Sequence, residues 1–124
     1  MNRALTRQGK IQDLTPPRSF PGPESFRKWL EKNHARVSEL LLLCRKTGAA
    51  GPGVTYREAL DEALCIGWID GVRRAVDETS FSVRFTPRKA KSAWSAVNIA
   101  RARELEAEGR MHPAGLAAFR ARAK

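Results

Sequence analysis

A chain of 124 residues is long enough for one domain with a substantial core and too short for two. Its composition, 42% hydrophobic and 29% charged, is typical of a soluble globular protein, and no apolar run approaches the roughly 20 residues that a membrane-spanning helix needs. The formal net charge of +10 makes an anionic ligand, an acidic partner protein or nucleic acid a candidate partner.

The positive charge is concentrated in the C-terminal part of the chain. Residues 79–124 carry 10 basic and 3 acidic side chains, whereas residues 1–78 carry 13 and 10. This distribution favours a basic surface in the C-terminal half. The alternative is that the excess charge only keeps the protein soluble.

An irregular N-terminal arm is predicted over residues 1–22, because prolines and a glycine interrupt any periodicity between positions 16 and 22. This arm would pack across a single domain, formed by residues 23–124, through Ile11, Leu14 and Phe20. The N-terminus has no apolar segment of the kind found in secretory signals, so we expect a cytoplasmic protein. Cys44 and Cys65 have apolar neighbours, which predicts two buried free thiols.

A helix is predicted near residues 23–34, beginning at Pro23, since Phe26, Trp29 and Leu30 form one apolar stripe. The leucine-rich run at 39–46 is predicted to be a strand buried on both faces. A helix there, which would give an all-α fold, is the alternative. The glycine-rich loop that follows, residues 47–53, matches no phosphate-binding motif.

The most secure element is a helix over residues 55–66, which Thr55 and Glu58 open as a capping box and Gly67 closes. Two strands, near 68–76 and 79–86, should then form a hairpin, and Gly71 suggests a bulge in the first of them.

Two further helices are predicted near 93–108, with Ser92 as the N-cap, and near 113–121, after His112. The sequence therefore predicts an α+β fold, in which about four helices cover a small antiparallel or mixed sheet of about three strands.

Three segments carry a resemblance to a known family. They read VTYREALDEALCIGWIDG, RFTPRKAKSAWSAVN and EGRMHPAGLAA, and together they extend the similarity over about residues 24–120. In these segments the chain resembles the YdeI/OmpD-associated family, also called bacteriocin-protection proteins. The resemblance implies a role in tolerance of bacteriocins and cationic antimicrobial peptides, with no established reaction or cofactor.

An anion-binding pocket is predicted at the start of the helix that Ser92 would cap. Helix N-termini present unpaired amides and a partial positive charge, and basic residues immediately precede this one. The candidate pocket residues are Arg84, Arg88, Ser92, Trp94, Ser95 and Asn98. The alternative is that Ser92 only caps the helix, Trp94 packs in the core and the basic residues remain solvated.

Asp70 lies in an otherwise apolar stretch, so it is either a general acid or base or, as we favour, the partner of Arg84 or Arg88. His34 and His112 are isolated in the sequence, without further metal ligands at suitable spacing. We therefore assign no catalytic residue, no metal site and no cofactor.

Three functions are compatible with these patterns. The first, which we favour, is a non-enzymatic binding or stress-protection protein with an unknown anionic ligand or acidic partner. The second is a nucleic-acid-binding protein that uses the basic C-terminal half. The third is a small enzyme that uses Asp70 and nearby arginines.

Overall fold

Helices cover one face of a three-stranded antiparallel sheet in the computed structural model, which describes residues 16–89 and 93–122. In chain order the elements are α1 (Pro23–Asn33), β1 (Leu40–Arg45), α2 (Tyr56–Ile66), β2 (Trp68–Ala75), β3 (Ser80–Pro87), α3 (Ala96–Ala107) and α4 (Pro113–Arg120). The predicted α+β fold is confirmed. The run after residue 39 is a strand, so the all-α alternative is wrong. Only alternate residues of this strand are buried, so the prediction that both of its faces are buried is also wrong.

The strand order is β1-β3-β2, with β3 antiparallel to both neighbours. Leu42 lies opposite Val83, which places apolar residues of both strands on the face that the helices cover. The register of β2 shifts between Asp70 and Arg73, and this is the bulge that Gly71 predicts.

The main core lies between α1, α2 and the covered face of the sheet. Phe26 and Leu30 of α1 are fully buried, as are Leu42, Val83 and Phe85 of the sheet. Each such side chain contributes about 1.5–3 kcal/mol by leaving water, so this layer accounts for much of the stability.

Helix α2 organises the rest of the molecule because it contacts the three other helices and strands β1 and β2. The predicted capping box is present, with the Thr55 hydroxyl accepting from the Glu58 amide and the Glu58 carboxylate accepting from the Thr55 amide. Gly67 ends the helix in the left-handed region at φ 86°, as predicted.

A second, smaller core forms where α2 meets α3 and α4. It consists of Leu64, Cys65 and Leu105, with Trp94 and Met111 packed against them. Cys44 lies in the main core and Cys65 in this one, and both are free and buried.

The N-terminal arm is described only from residue 16, so Ile11 and Leu14 lie outside the described residues. Phe20 packs on α1, with its ring centroid 5.5 Å from that of Phe26 and 6.4 Å from that of Trp29. None of the helices in the described ranges is both long and apolar enough to cross a bilayer.

Candidate functional site

Arg88 lies just beyond the end of β3 and reaches the segment that leads into α3. Its backbone amide donates to the carbonyl of Gly67 at 2.9 Å, which ties it to the end of α2. Its guanidinium lies over the indole of Trp94, with Cζ 3.8 Å from the ring centroid. The nitrogens Nε, Nη1 and Nη2 are all buried and have no hydrogen-bond partner in the part of the chain that the structure describes.

The guanidinium of Arg88 is thus a buried cation for which the described residues supply no hydrogen-bond acceptor. Burial lowers the pKa of Arg88, and the negative charge of Asp70 opposes that shift. Arginine nevertheless remains charged in proteins, so the desolvated charge persists. Stacking on Trp94 recovers about 2 kcal/mol at a desolvated position, but it supplies no oxygen acceptor for the N–H groups.

Asp70 accepts its hydrogen bond from a tyrosine. The hydroxyl of Tyr56 donates to Oδ2 of Asp70 at 2.6 Å. Burial, followed by this hydrogen bond, raises the pKa of Tyr56 to about 12, so Tyr56 stays protonated and remains a donor at neutral pH. Asp70 is therefore held in place on the helix-covered face of the sheet by Tyr56. The predicted pairing of Asp70 with Arg88 is wrong, because the two interact only through their charges and form no hydrogen bond.

Arg84 does not belong to this site. Asp70 lies opposite Phe85 in the sheet, and Arg84 precedes Phe85, so the side chain of Arg84 is on the other face. There its Nε donates to Oε1 of Glu39 at 2.6 Å. The predicted inclusion of Arg84 in the pocket, and its predicted pairing with Asp70, are thus corrected by the alternation of side chains along β3.

The N-cap of α3 is Ser95 rather than Ser92. The helix begins at Ala96, and the Ser95 hydroxyl accepts from the Asn98 amide at 3.1 Å. The prediction of Ser92 as N-cap is wrong for this reason, and Ser92 itself lies outside the described residues. Asn98 is partly exposed and occupies the first turn, close in sequence to Trp94.

Trp94 precedes α3 and so does not share a helical face with Asn98. Its ring packs 5.3 Å from that of Phe119 and against the smaller core, while Arg88 lies over it. Trp94 therefore packs against the core, as the alternative interpretation predicts. The same ring also stacks with the guanidinium of Arg88. Of the predicted pocket residues, the structure joins Arg88 to Trp94 and places Ser95 and Asn98 at the adjoining helix start.

Several basic residues that the charge pattern singled out have acidic partners. Arg101 forms a bidentate pair with Asp61, at 2.9 and 2.8 Å, and these hydrogen bonds raise the pKa of Arg101. Arg110 donates to Glu62, which is only 7% exposed and also accepts from Arg27. These contacts join residues far apart in the sequence, so no local pattern could have revealed them.

The two histidines, which are isolated in the sequence, meet in the structure. The rings of His34 and His112 are 5.1 Å apart between centroids. Nδ1 of His112 accepts from the Ala114 amide and thereby caps α4. Burial, and then the charges of His34 and Arg27, lower the pKa of His112. Among the described residues, no group of three or more potential ligands could hold a metal ion.

Comparison with known proteins defines the family but not an activity. The family described as a domain of unknown function, DUF8412, matches residues 18–118. The chain belongs to this family, and the match includes Arg88, Trp94 and Asp70. No curated protein and no solved structure is significantly similar to the chain.

Proposed function

We propose that this protein is a non-enzymatic binding protein whose ligand presents a phosphate-like or carboxylate group to Arg88. The observation that supports the proposal is the guanidinium of Arg88, whose three nitrogens are buried and have no hydrogen-bond partner among residues 16–89 and 93–122. An oxyanion would accept from these N–H groups in a desolvated setting, where charge-assisted hydrogen bonds are strong. The first turn of α3, which begins two residues after Trp94, adds partial positive charge.

The physiological part of the proposal comes from the sequence resemblance. Similarity to the YdeI/OmpD-associated family suggests stress protection against bacteriocins and cationic antimicrobial peptides. With a net charge of +10, the protein would repel such peptides, so protection by binding an anionic ligand is the form that we propose. Two buried, unbonded cysteines suit a reducing compartment, and we propose the cytoplasm.

The two other functions that the sequence suggested have less support. Nucleic-acid binding needs free cations, but Arg84, Arg101 and Arg110 are paired with carboxylates. Catalysis by Asp70 needs a proton-transfer partner that reaches a substrate, whereas its partner here is Tyr56, which stays protonated at neutral pH.

Melting temperatures with and without sulfate test the proposal. Sulfate should raise the melting temperature of the wild type through specific binding, and Arg88→Ala should remove that part of the increase. Without sulfate we expect Arg88→Ala to change stability little, because loss of the stacking on Trp94 offsets relief of the unpaired charge.

The matched control is Arg103→Ala, which removes an exposed arginine from α3. Sulfate also stabilises proteins by exclusion from their surface, and that effect should be the same in both variants. An equal response to sulfate in the wild type, Arg88→Ala and Arg103→Ala would contradict an anion site at Arg88. A large loss of stability in Arg88→Ala would instead identify Arg88 as a structural residue.

A further inference from the structure

A cavity of about 390 Å³ lies at the end of the sheet opposite to Arg88. Its walls are the end of β1, the start of β3, the segment before α1 and the glycine-rich loop after β1. The apolar part of the lining includes Phe20, Leu43 and Pro52. A volume of this size is within the range of small-molecule sites, at its lower end.

Arg45, the last residue of β1, contributes a fixed guanidinium to this cavity. Its Nη1 donates to the carbonyl of Ala49 at 2.8 Å, which holds the planar group in one orientation. Its Nε is buried and has no hydrogen-bond partner among the described residues. A buried N–H without an acceptor is costly, so an acceptor supplied by a ligand would be favourable.

The loop comes close to Arg45 because it has a glycine at the point of contact. Gly53 has φ 137°, and a Cβ there would lie 3.2 Å from Cβ and 3.8 Å from Nε of Arg45. Its amide donates to the carbonyl of Pro21 at 3.0 Å, and the amide of Arg45 donates to Val54 at 2.8 Å. The wall beside Arg45 is thus fixed by backbone hydrogen bonds on both sides.

A carboxylate stands on the exposed side of the cavity. Oδ1 of Asp77 accepts from the Ser80 hydroxyl at 2.8 Å and from the Thr79 amide at 2.9 Å. These hydrogen bonds lower the pKa of Asp77, so it is ionised at neutral pH. The cavity therefore combines one cation, one anion and an apolar wall.

We propose that this cavity binds a small carboxylate with a branched apolar body. The carboxylate pairs with the guanidinium of Arg45, which lines the cavity and is held in place by Ala49, and the apolar body contacts Phe20, Leu43 and Pro52. The site is independent of the one at Arg88, because the two lie at opposite ends of β3. Both simple branched acids and apolar amino acids have this chemistry, and an amino group would be recognised by Asp77.

Three probes that differ by one group test the site, with backbone amide chemical shifts as the readout. They are leucine, isocaproate, which lacks the amino group, and isoamylamine, which lacks the carboxylate. We expect leucine and isocaproate to shift amides of residues 43–54 and 79–80, and isoamylamine to leave them unchanged. If isoamylamine binds as well as isocaproate, or if neither carboxylate causes shifts, the proposal is wrong.

The variants address the role of each group. Arg45→Gln should weaken binding of isocaproate about tenfold or more, as expected for one charge-assisted hydrogen bond. Ala50→Phe is a second variant for the case in which Arg45→Gln does not fold. Ala50 lines the cavity at an exposed position, so a phenylalanine there should fill the cavity and prevent binding. Unchanged binding of isocaproate in Ala50→Phe would overturn the proposal.

Two comparisons complete the design. If the ligand is an amino acid, Asp77→Asn should weaken the binding of leucine to the level of isocaproate. If the ligand is a simple acid, Asp77→Asn should leave the affinity for leucine unchanged. Arg88→Ala should not alter binding of either carboxylate, and Arg45→Gln should not alter the sulfate response. Failure of one site would therefore be distinguishable from failure of the other.

Discussion

Tyr56 lies between a carboxylate and a guanidinium at the side of the main core that faces β2. Its hydroxyl donates to Asp70, and Cζ of Arg73 is 4.9 Å from its ring centroid. The same guanidinium lies 4.2 Å from the ring centroid of Phe81. Arg73 thus covers two aromatic rings that the bulged edge strand would otherwise expose.

The ionisation of Tyr56 gives a direct test of this cluster, because it is the only tyrosine in the chain. Ultraviolet absorbance of tyrosinate should report a pKa of about 12 in the folded protein. Asp70→Asn should lower that pKa, since it removes the negative charge that opposes ionisation. A normal tyrosine pKa in the folded wild type would contradict the hydrogen bond to Asp70.

The pH dependence of stability follows from the same pKa shift of Tyr56. The unfolded chain loses the tyrosine proton near its ordinary pKa of about 10, before the folded protein does. The contribution of Tyr56 to stability is therefore complete below pH 10 and declines as the pH rises toward 12. Asp70→Asn should make this decline shallower.

Individual helices and strands follow from local patterns, but the start of α3 does not. The alternation of Phe81, Val83 and Phe85 and the capping box at Thr55 predict β3 and α2 correctly. Before α3, a serine stands at both 92 and 95, and either could cap a helix. The structure uses Ser95, so Trp94 lies before the helix, where it packs on Phe119 in a contact between distant parts of the chain.

Replacing Ser95 tests this N-cap. Ser95→Ala should lower the free energy of unfolding by about 1 kcal/mol, because the Asn98 amide loses its acceptor. Ser95→Asp should retain most of the stability, since aspartate caps equally well and is favourable near the helix N-terminus. Urea denaturation measures both. Equal losses in the two variants would show that Ser95 does not act as the cap.

The contact between α2 and α4 depends on a glycine. A Cβ at Gly115 would lie 2.0 Å from the carbonyl oxygen of Cys65, so the two helices approach at a distance that only glycine permits. Gly115→Ala should destabilise the protein by about 3 kcal/mol, the upper part of the usual range for overpacking.

Gly109→Ala is the matched control for this substitution. Gly109 has φ 75°, but no atom of the described residues lies within 4 Å of an added Cβ, so Gly109→Ala should cost only the backbone strain of about 1–2 kcal/mol. Denaturation of both variants separates steric overlap from strain. A smaller loss for Gly115→Ala than for Gly109→Ala would contradict the close packing of α2 and α4.

Across the whole molecule, folding pairs three arginines of the basic half, residues 79–124, with acidic residues of the preceding part of the chain. Arg84, Arg101 and Arg110 pair with Glu39, Asp61 and Glu62, respectively. The sequence predicts the uneven charge but not these partners, because the pairs are 40 or more residues apart. Three of the ten basic residues in this half are consequently less available to an external polyanion than the composition suggests.

A salt titration with single-stranded nucleic acid tests that consequence. We expect no binding at physiological salt, and weak binding at low salt with a shallow salt dependence, because few arginine contacts are available to release counterions. Fluorescence anisotropy of a labelled oligonucleotide gives both quantities.

Glu39→Gln should strengthen low-salt binding by releasing Arg84, whose side chain is 43% exposed. Glu24→Gln makes the same change in net charge at an exposed position of α1 and should have a smaller effect. Tight binding by the wild type at physiological salt, with a steep salt dependence, would instead support nucleic-acid binding. It would show that the arginines remain available to phosphates despite their ion pairs within the protein.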